Sequence, residues 1–356
     1  MLKTLSMPLL ALLTAGLAGC GAIYKPTGSV LAHYSQDHVV PHVLGSGDLD
    51  LSACGTGMGQ HQLLASFSRV NDAPARVLLN TNLLAGLCSE ARAQEAQLRF
   101  QRELRDGNTA AARDARIESQ RLFRRTALRR YAAYRHTVDA FGELGDGHCP
   151  SFDSETEKAE YLIGTLTSVQ ALLSDIQASS SVGVPQDVAA RAGRASECMD
   201  NEQWWGIPNA LQAVVWLSVP GSAPDGVDPW NQLEDAADLG EAAGMPMAAM
   251  LYAIAGYGQS DAQREREGIR QVARIYNDGI GPKDYLILGE VAYAQALYLS
   301  DRIWTQETGK RTPFLALGEF PGEDSDAGSD TDIEGLLGDD DDSSGASGDD
   351  TGGLLE

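Results

Sequence analysis

From Met58 to about residue 307 the apolar residues recur every three or four positions, Ala, Leu, Gln, Glu and Arg dominate, and no stretch reads as a strand. A chain patterned this way can bury its apolar stripes only against other helices, so the expected fold class is all-α. The sharpest stripe is Leu162, Leu166, Val169, Leu173 and Ile176, at spacings of 4, 3, 4 and 3, and it is expected to be core. Tyr131, Tyr134, Val138 and Phe141 repeat the same logic.

Punctuation between the stripes divides the helices. Pro74 suits a first helical turn, Asp106-Gly107-Asn108 a reversal, and His148-Cys149-Pro150 a break. Ser154 and Glu157 form a capping box that opens the next helix. Helices are expected over 58–70, 74–105, 109–142, from about 154, and over 185–199, 207–219, 230–243, 245–258, 262–277 and 284–307. Long helices joined by short loops predict a degenerate tetratricopeptide-like helical hairpin array, although no clean repeat of about 34 residues aligns. The alternative is an irregular helical bundle.

The start of the chain reads as an address. Lys3 precedes an apolar run from Met7 to Leu17, shorter than the roughly 20 residues a membrane-spanning helix needs. Leu17-Ala18-Gly19-Cys20 resembles the lipobox of bacterial lipoproteins, which implies a mature chain beginning at a lipidated Cys20. Gly21 after that cysteine points to the outer membrane of a Gram-negative bacterium, with the body facing the periplasm. Residues 1–20 are therefore expected to be a signal peptide and 21–57, rich in Gly, His, Ser and Pro, a tether. His33, His38 and His42 lie within it, but Pro41 interrupts the helix that would align a metal pair.

Cys54, Cys88, Cys149 and Cys198 remain, an even set suited to an oxidising compartment. Three connectivities are open. Cys54 with Cys88 and Cys149 with Cys198 is favoured, because each pairing joins neighbouring segments and leaves the loops uncrossed.

Charge excludes one class of partner. The chain has 27 Lys and Arg against 50 Asp and Glu, a net charge of −23, whereas a nucleic-acid binder needs a broad basic surface. Thirteen of the acids fall between Pro321 and Glu356, where there is no Lys or Arg. Residues 320–356 are thus expected to be an acidic disordered tail after a repeat-like domain over 58–319. Its Asp330-x-Asp332-x-Glu334-Gly335 imitates a calcium loop but lacks flanking helices.

Catalytic signatures are missing: there is no G-x-S-x-G, H-E-x-x-H, S-x-x-K, phosphate-binding loop or C-x-x-C. The expectation is a non-enzyme with no cofactor, no metal and no catalytic residue. Two features stand out as candidate groove or partner contacts. Residues 92–135 hold twelve arginines and five acids, with Arg124, Arg125, Arg129 and Arg130 in the densest run, and arginine's planar fork suits carboxylate and phosphate. Trp204 and Trp205 sit at a helix boundary, where one indole is free to enter the core while the other lines a groove.

Taken together, the lipobox, the helical body and three stretches resemble the T component of TRAP-associated transporters (TatT), tetratricopeptide-like periplasmic lipoproteins. Those stretches are His61 to Arg92, Ala115 to Phe141, and Trp204 to Ala255 with its Gly244-Met-Pro-Met-Ala-Ala-Met-Leu-Tyr252 close. The resemblance implies a ring-like homotrimer with an apolar pore, a periplasmic substrate-binding subunit as protein partner, and a small hydrophobic or organic-acid ligand. The four further cysteines and the acidic tail depart from that family's pattern. The alternative expectation is an envelope lipoprotein acting as a protein docking scaffold.

Overall fold

A computed structural model describes residues 24–69, 75–219 and 221–323. Cys20, the signal segment and the tail from 324 onward lie outside the described residues. The described residues are all-helical and contain no strand. Helix α1 (residues 24–34) continues through a π turn, Ser35–Val39, into α2 (Val40–Leu44). A second π segment, Leu51–Met58, leads into α3 (Gly59–Ser66). Then come α4 (Ala75–Arg105), α5 (Thr109–Phe141), α6 (Glu155–Gln177), α7 (Val188–Ala195), α8 (Ile207–Ser218), α9 (Pro229–Ala243), α10 (Met247–Gly258), α11 (Ala262–Asp278) and α12 (Leu286–Thr308).

From α4 onward each helix packs on the next in the chain, as in a hairpin array, and α12 returns to α4, as in a closed bundle. The α4–α5 hairpin is held by small residues. Ala85, Gly86, Ser89, Ala93 and Ala96 face Ala112, Ala115, Ser119, Thr126 and Ala127, all buried, so the two axes approach closely. Thr126 Oγ1 donates to Ser89 Oγ at 3.0 Å across the seam, and Ser119 Oγ to Gln97 Oε1 at 3.0 Å. The turn between them uses Gly107 at φ 77°, and α6 opens on the expected cap, with Glu157 N donating to Ser154 Oγ at 3.2 Å. Glu157 Oε2 accepts from Asp153 N at 2.8 Å, one residue before the usual partner.

Three expectations are corrected. Residues 24–57 are helical and folded in: Val40, Leu44 and Ala53 belong to the main core. Pro41 ends no helix here, because the wider π turn before it accommodates a residue without an N–H. Gly57 lets the second π segment touch α4 backbone to backbone; a Cβ there would fall 2.5 Å from Ala85 N. The body also runs through Phe320, 3% exposed among Ile269, Leu299 and Ile303 with the Arg266 and Arg270 guanidiniums over its ring at 5.0 and 5.1 Å. Finally, the α6 stripe is core only at Leu162, Leu166 and Val169; Leu173 and Ile176 are exposed, Leu173 on the wall of a cleft.

The disulfides are Cys54–Cys88 and Cys149–Cys198, the uncrossed pairing. The first ties the second π segment to α4; the second ties the loop after α5 to the turn after α7. No helix among the described residues is long and apolar enough to cross a membrane.

Candidate functional site

Helices α4 and α12 run side by side in parallel, and two clefts open along their seam. The first lies where the first π turn, α2, the second π segment and α3 cover the seam's beginning. It is narrow, with a cavity volume of about 50 Å³. Its wall is Val39, Val40, Val43 and Leu44 from the N-terminal segment, Leu64 from α3, Val77, Leu83, Leu84 and Leu87 from α4, and Ile287, Leu288 and Val291 from α12.

Few polar groups reach this cleft, and those of α4 are already engaged. Thr81 Oγ1 donates to Val77 O at 3.1 Å and accepts from His61 Nδ1 at 2.9 Å. Asn80 Nδ2 donates to Glu160 Oε1 at 2.7 Å. Glu160 is fully buried; burial pushes its carboxyl up, while the ion pair with Arg76 and the Asn80 bond pull it back. What the cleft offers a ligand is therefore mostly hydrocarbon, with Ser35, Thr56 and Gln60 as its remaining polar residues.

The second cleft, with a cavity volume of about 130 Å³, opens further along the same seam, where α5, α6 and α10 approach it. Its floor is a chain of hydrogen bonds through four helices. Arg130 holds Glu90 with both Nη atoms, Nη1 to Oε1 at 2.7 Å, and donates to Ser174 Oγ at 2.9 Å. Gln295 Nε2 donates to Glu90 Oε2 and Gln94 Nε2 to Gln295 Oε1, both at 2.9 Å. Tyr257, Tyr298, Gln170 and Gln177 complete a polar wall. Burial pushes the Tyr298 hydroxyl far up, so it stays protonated at any ordinary pH.

The residues singled out in the sequence scatter. Arg130 is 2% exposed and Trp204 2% exposed, so neither is available to a partner; burial and their contacts make them structural. Trp205, half-buried at φ 52°, sets its ring edge-on to Trp204 and Tyr285, with centroids 5.5 and 5.4 Å away. Arg129 is half-buried, donating to Ala85 O at 2.8 Å and touching Met58 Sδ. Arg124 and Arg125 are exposed, and neither has an ion-pair partner among the described residues. Burial and the charges of Arg125 and Arg92 lower the Arg129 pKa, so cations crowd this edge of the hairpin. His33 bonds its own helix through Ser29 O at 2.7 Å, His38 lies against Tyr34, and no group of three or more metal-ligating side chains forms among the described residues.

Sequence inspection missed both clefts. Their common signal is the α12 spacing Leu288, Val291, Gln295, Tyr298, a single face that begins apolar and turns polar. No family model, no curated protein and no solved structure matches this chain.

Proposed function

We propose that this chain is a periplasm-facing, lipid-anchored helical carrier, an accessory component of a TRAP-type transport system that holds a small hydrophobic ligand and engages a partner protein. The observation that carries the proposal is the apolar cleft under the first π turn and α2, whose α4 polar groups are already bonded and whose wall is otherwise Val, Leu and Ile with Ser35, Thr56 and Gln60. Membrane proximity gains support from α1, which exposes Tyr24, Val30, Leu31 and Tyr34 shortly after the expected lipidation point at Cys20. A second reading, an envelope lipoprotein serving as a docking scaffold, draws on Arg124 and Arg125, exposed and without an ion-pair partner among the described residues.

Native mass spectrometry of the mature chain released in mild detergent tests the choice. A homotrimer retaining a small apolar adduct is the expected result. A monomer free of adduct would reject the carrier, and crosslinking in the envelope would then identify the docking partner.

A further inference from the structure

Opposite the small residues that seat it on α4, helix α5 turns a different face to solvent. Arg113, Ile117, Arg121, Arg124, Leu128 and Arg135 follow one another at spacings of 4, 4, 3, 4 and 7, one line about 33 Å long at 1.5 Å per residue. All six are exposed, Ile117 by 45% and Leu128 by 44%, and half-buried Tyr131 fills the gap before Arg135. Arg113, Arg121 and Arg124 have no ion-pair or hydrogen-bond partner among the described residues, and Arg135 stacks on the Tyr131 ring, 5.5 Å from its centroid. The acids of the same helix are engaged or stand at the ends of the line: Arg99 holds Glu118, His136 faces Asp139 at 3.4 Å, and Asp114 follows Arg113.

A line of bare guanidiniums is out of keeping with a chain that has 50 acids for 27 bases. Other surface arginines use those acids: Arg191 pairs with Glu143 at 2.7 Å, Arg264 with Asp261 at 2.7 Å and Arg274 with Glu241 at 3.0 Å. Arg129, within electrostatic reach of Arg125 and of Arg92 on α4, adds charge along one margin of the line. Such a surface repels itself until an anion covers it. Its shape says which kind. The outer face of a helix is convex and grips no small anion from several sides; what it can meet along its whole length is a plane. Ile117, Leu128 and Tyr131, set between the cations, suit the interfacial layer of a bilayer, where an arginine keeps its hydrocarbon stem among apolar groups and its fork among phosphates. At about 0.1 M salt the screening length is about 10 Å, one helix diameter, so a charged plane feels this face more than the net charge behind it. We propose that α5 docks the protein side-on to an anionic phospholipid surface, with Arg113, Arg121, Arg124 and Arg135 on the phosphates and Ile117 and Leu128 seated between them.

This rests on neither the apolar cleft nor a lipid on Cys20, and it competes with the docking-scaffold reading for Arg124. Cosedimentation tests it, using the mature chain made without lipid and vesicles of phosphatidylcholine alone or with one-third phosphatidylglycerol. Binding should be about tenfold or more tighter to the anionic vesicles at about 0.1 M salt, and no tighter at about 1 M, where the screening length is about 3 Å. Arg113→Gln, Arg121→Gln, Arg124→Gln and Arg135→Gln together should erase the preference and leave the melting temperature unchanged. The same change of net charge at ion-paired sites, Arg191→Gln, Arg266→Gln, Arg274→Gln and Arg311→Gln, should keep most of it. Ile117→Ser with Leu128→Ser should weaken binding to the anionic vesicles about threefold or more. Equal binding to the two vesicle types, a preference that survives the fourfold α5 variant, or one that the ion-paired variant loses as fully overturns the proposal. So does unchanged binding by Ile117→Ser with Leu128→Ser. An acidic protein in place of the membrane would show as polyglutamate binding that the fourfold α5 variant loses, with no binding to vesicles; that result also overturns the proposal and favours the scaffold. If the fourfold variant does not fold, Arg121→Gln with Arg124→Gln decides, with an expected loss of about tenfold.

Discussion

The two clefts are made by the same pair of helices and differ in what happens to their polar groups. At the beginning of the seam Thr81 and Asn80 turn their polar atoms into bonds with His61 and Glu160, leaving a mostly hydrocarbon wall. Two turns further along α12, roughly 10 Å at 1.5 Å per residue, Glu90, Gln94, Gln295 and Arg130 bond to one another. One helix pair can therefore carry two chemistries if the face of each helix changes residue type without changing spacing. The apolar cleft depends on how the N-terminal segment is held over it; the polar one depends on a network that fails as a unit.

The largest effect should come from freeing the lid of the apolar cleft. Cys54–Cys88 closes a sequence separation of 34 residues, and chain-entropy reasoning assigns such a link about 4 kcal/mol. Cys54→Ala with Cys88→Ala should cost that order of stability in urea unfolding and remove binding of an apolar probe such as dodecanol. Retained dodecanol binding would show that the segment holds its place over the cleft without the link. Next, Glu90→Leu leaves the Arg130 charge buried alone, at a cost of about 3 kcal/mol. Adding Arg130→Met should restore most of it. A cost below 1 kcal/mol for Glu90→Leu would show that the network is slack and the contrast with the apolar cleft is one of polarity only. Leu288→Ala, on the apolar wall, should cost about 2 kcal/mol, near the low end for a buried leucine because its neighbours already border a void. It should also loosen dodecanol binding and leave the polar cleft unmoved.

These differences explain what could be read from the residues alone. Helix ends were legible because their signals are local: Asp106-Gly107-Asn108 ends α4, and Ser154 caps α6. The N-terminal segment was not, since Gly55, Gly57 and Pro41 suggest a loose chain until a disulfide and two π turns are placed around them. Gly57 is small for contact with α4, not for freedom, and only the partner helix reveals that. The polar cleft was hidden for another reason. Arg130 is one of twelve arginines in its stretch, and nothing near it in sequence says that its acid is Glu90, 40 residues back, or that Glu90 also takes the Gln295 amide. A glutamine and a tyrosine continuing an apolar stripe, as on α12, were the available sign.

The smallest effect concerns pH at the rim of the apolar cleft. His61 and His136 both have lowered pKa values, chiefly from burial; His61 also feels His136 and Arg129, while Asp139 pulls His136 the other way. A histidine depressed in the folded state binds fewer protons there than in the unfolded chain once pH drops below the unfolded value of 6.5. Its contribution to stability is complete above that pH and is lost as pH falls through 6.5 toward the folded value. Glu160 acts in the opposite sense: its raised carboxyl makes folding more favourable as pH falls toward the usual carboxylate range. The two are separated by comparing variants. Between pH 7.5 and 5.5 the wild-type melting temperature should drop about 1 °C further than that of His61→Asn, a small fraction of a kcal/mol in a chain this long. Because His61 bonds Thr81 on the apolar wall, the same acid step should weaken dodecanol binding slightly in the wild type and not in the variant. An identical pH profile for the two proteins would place the pH response elsewhere and remove His61 from the account of how this cleft is held.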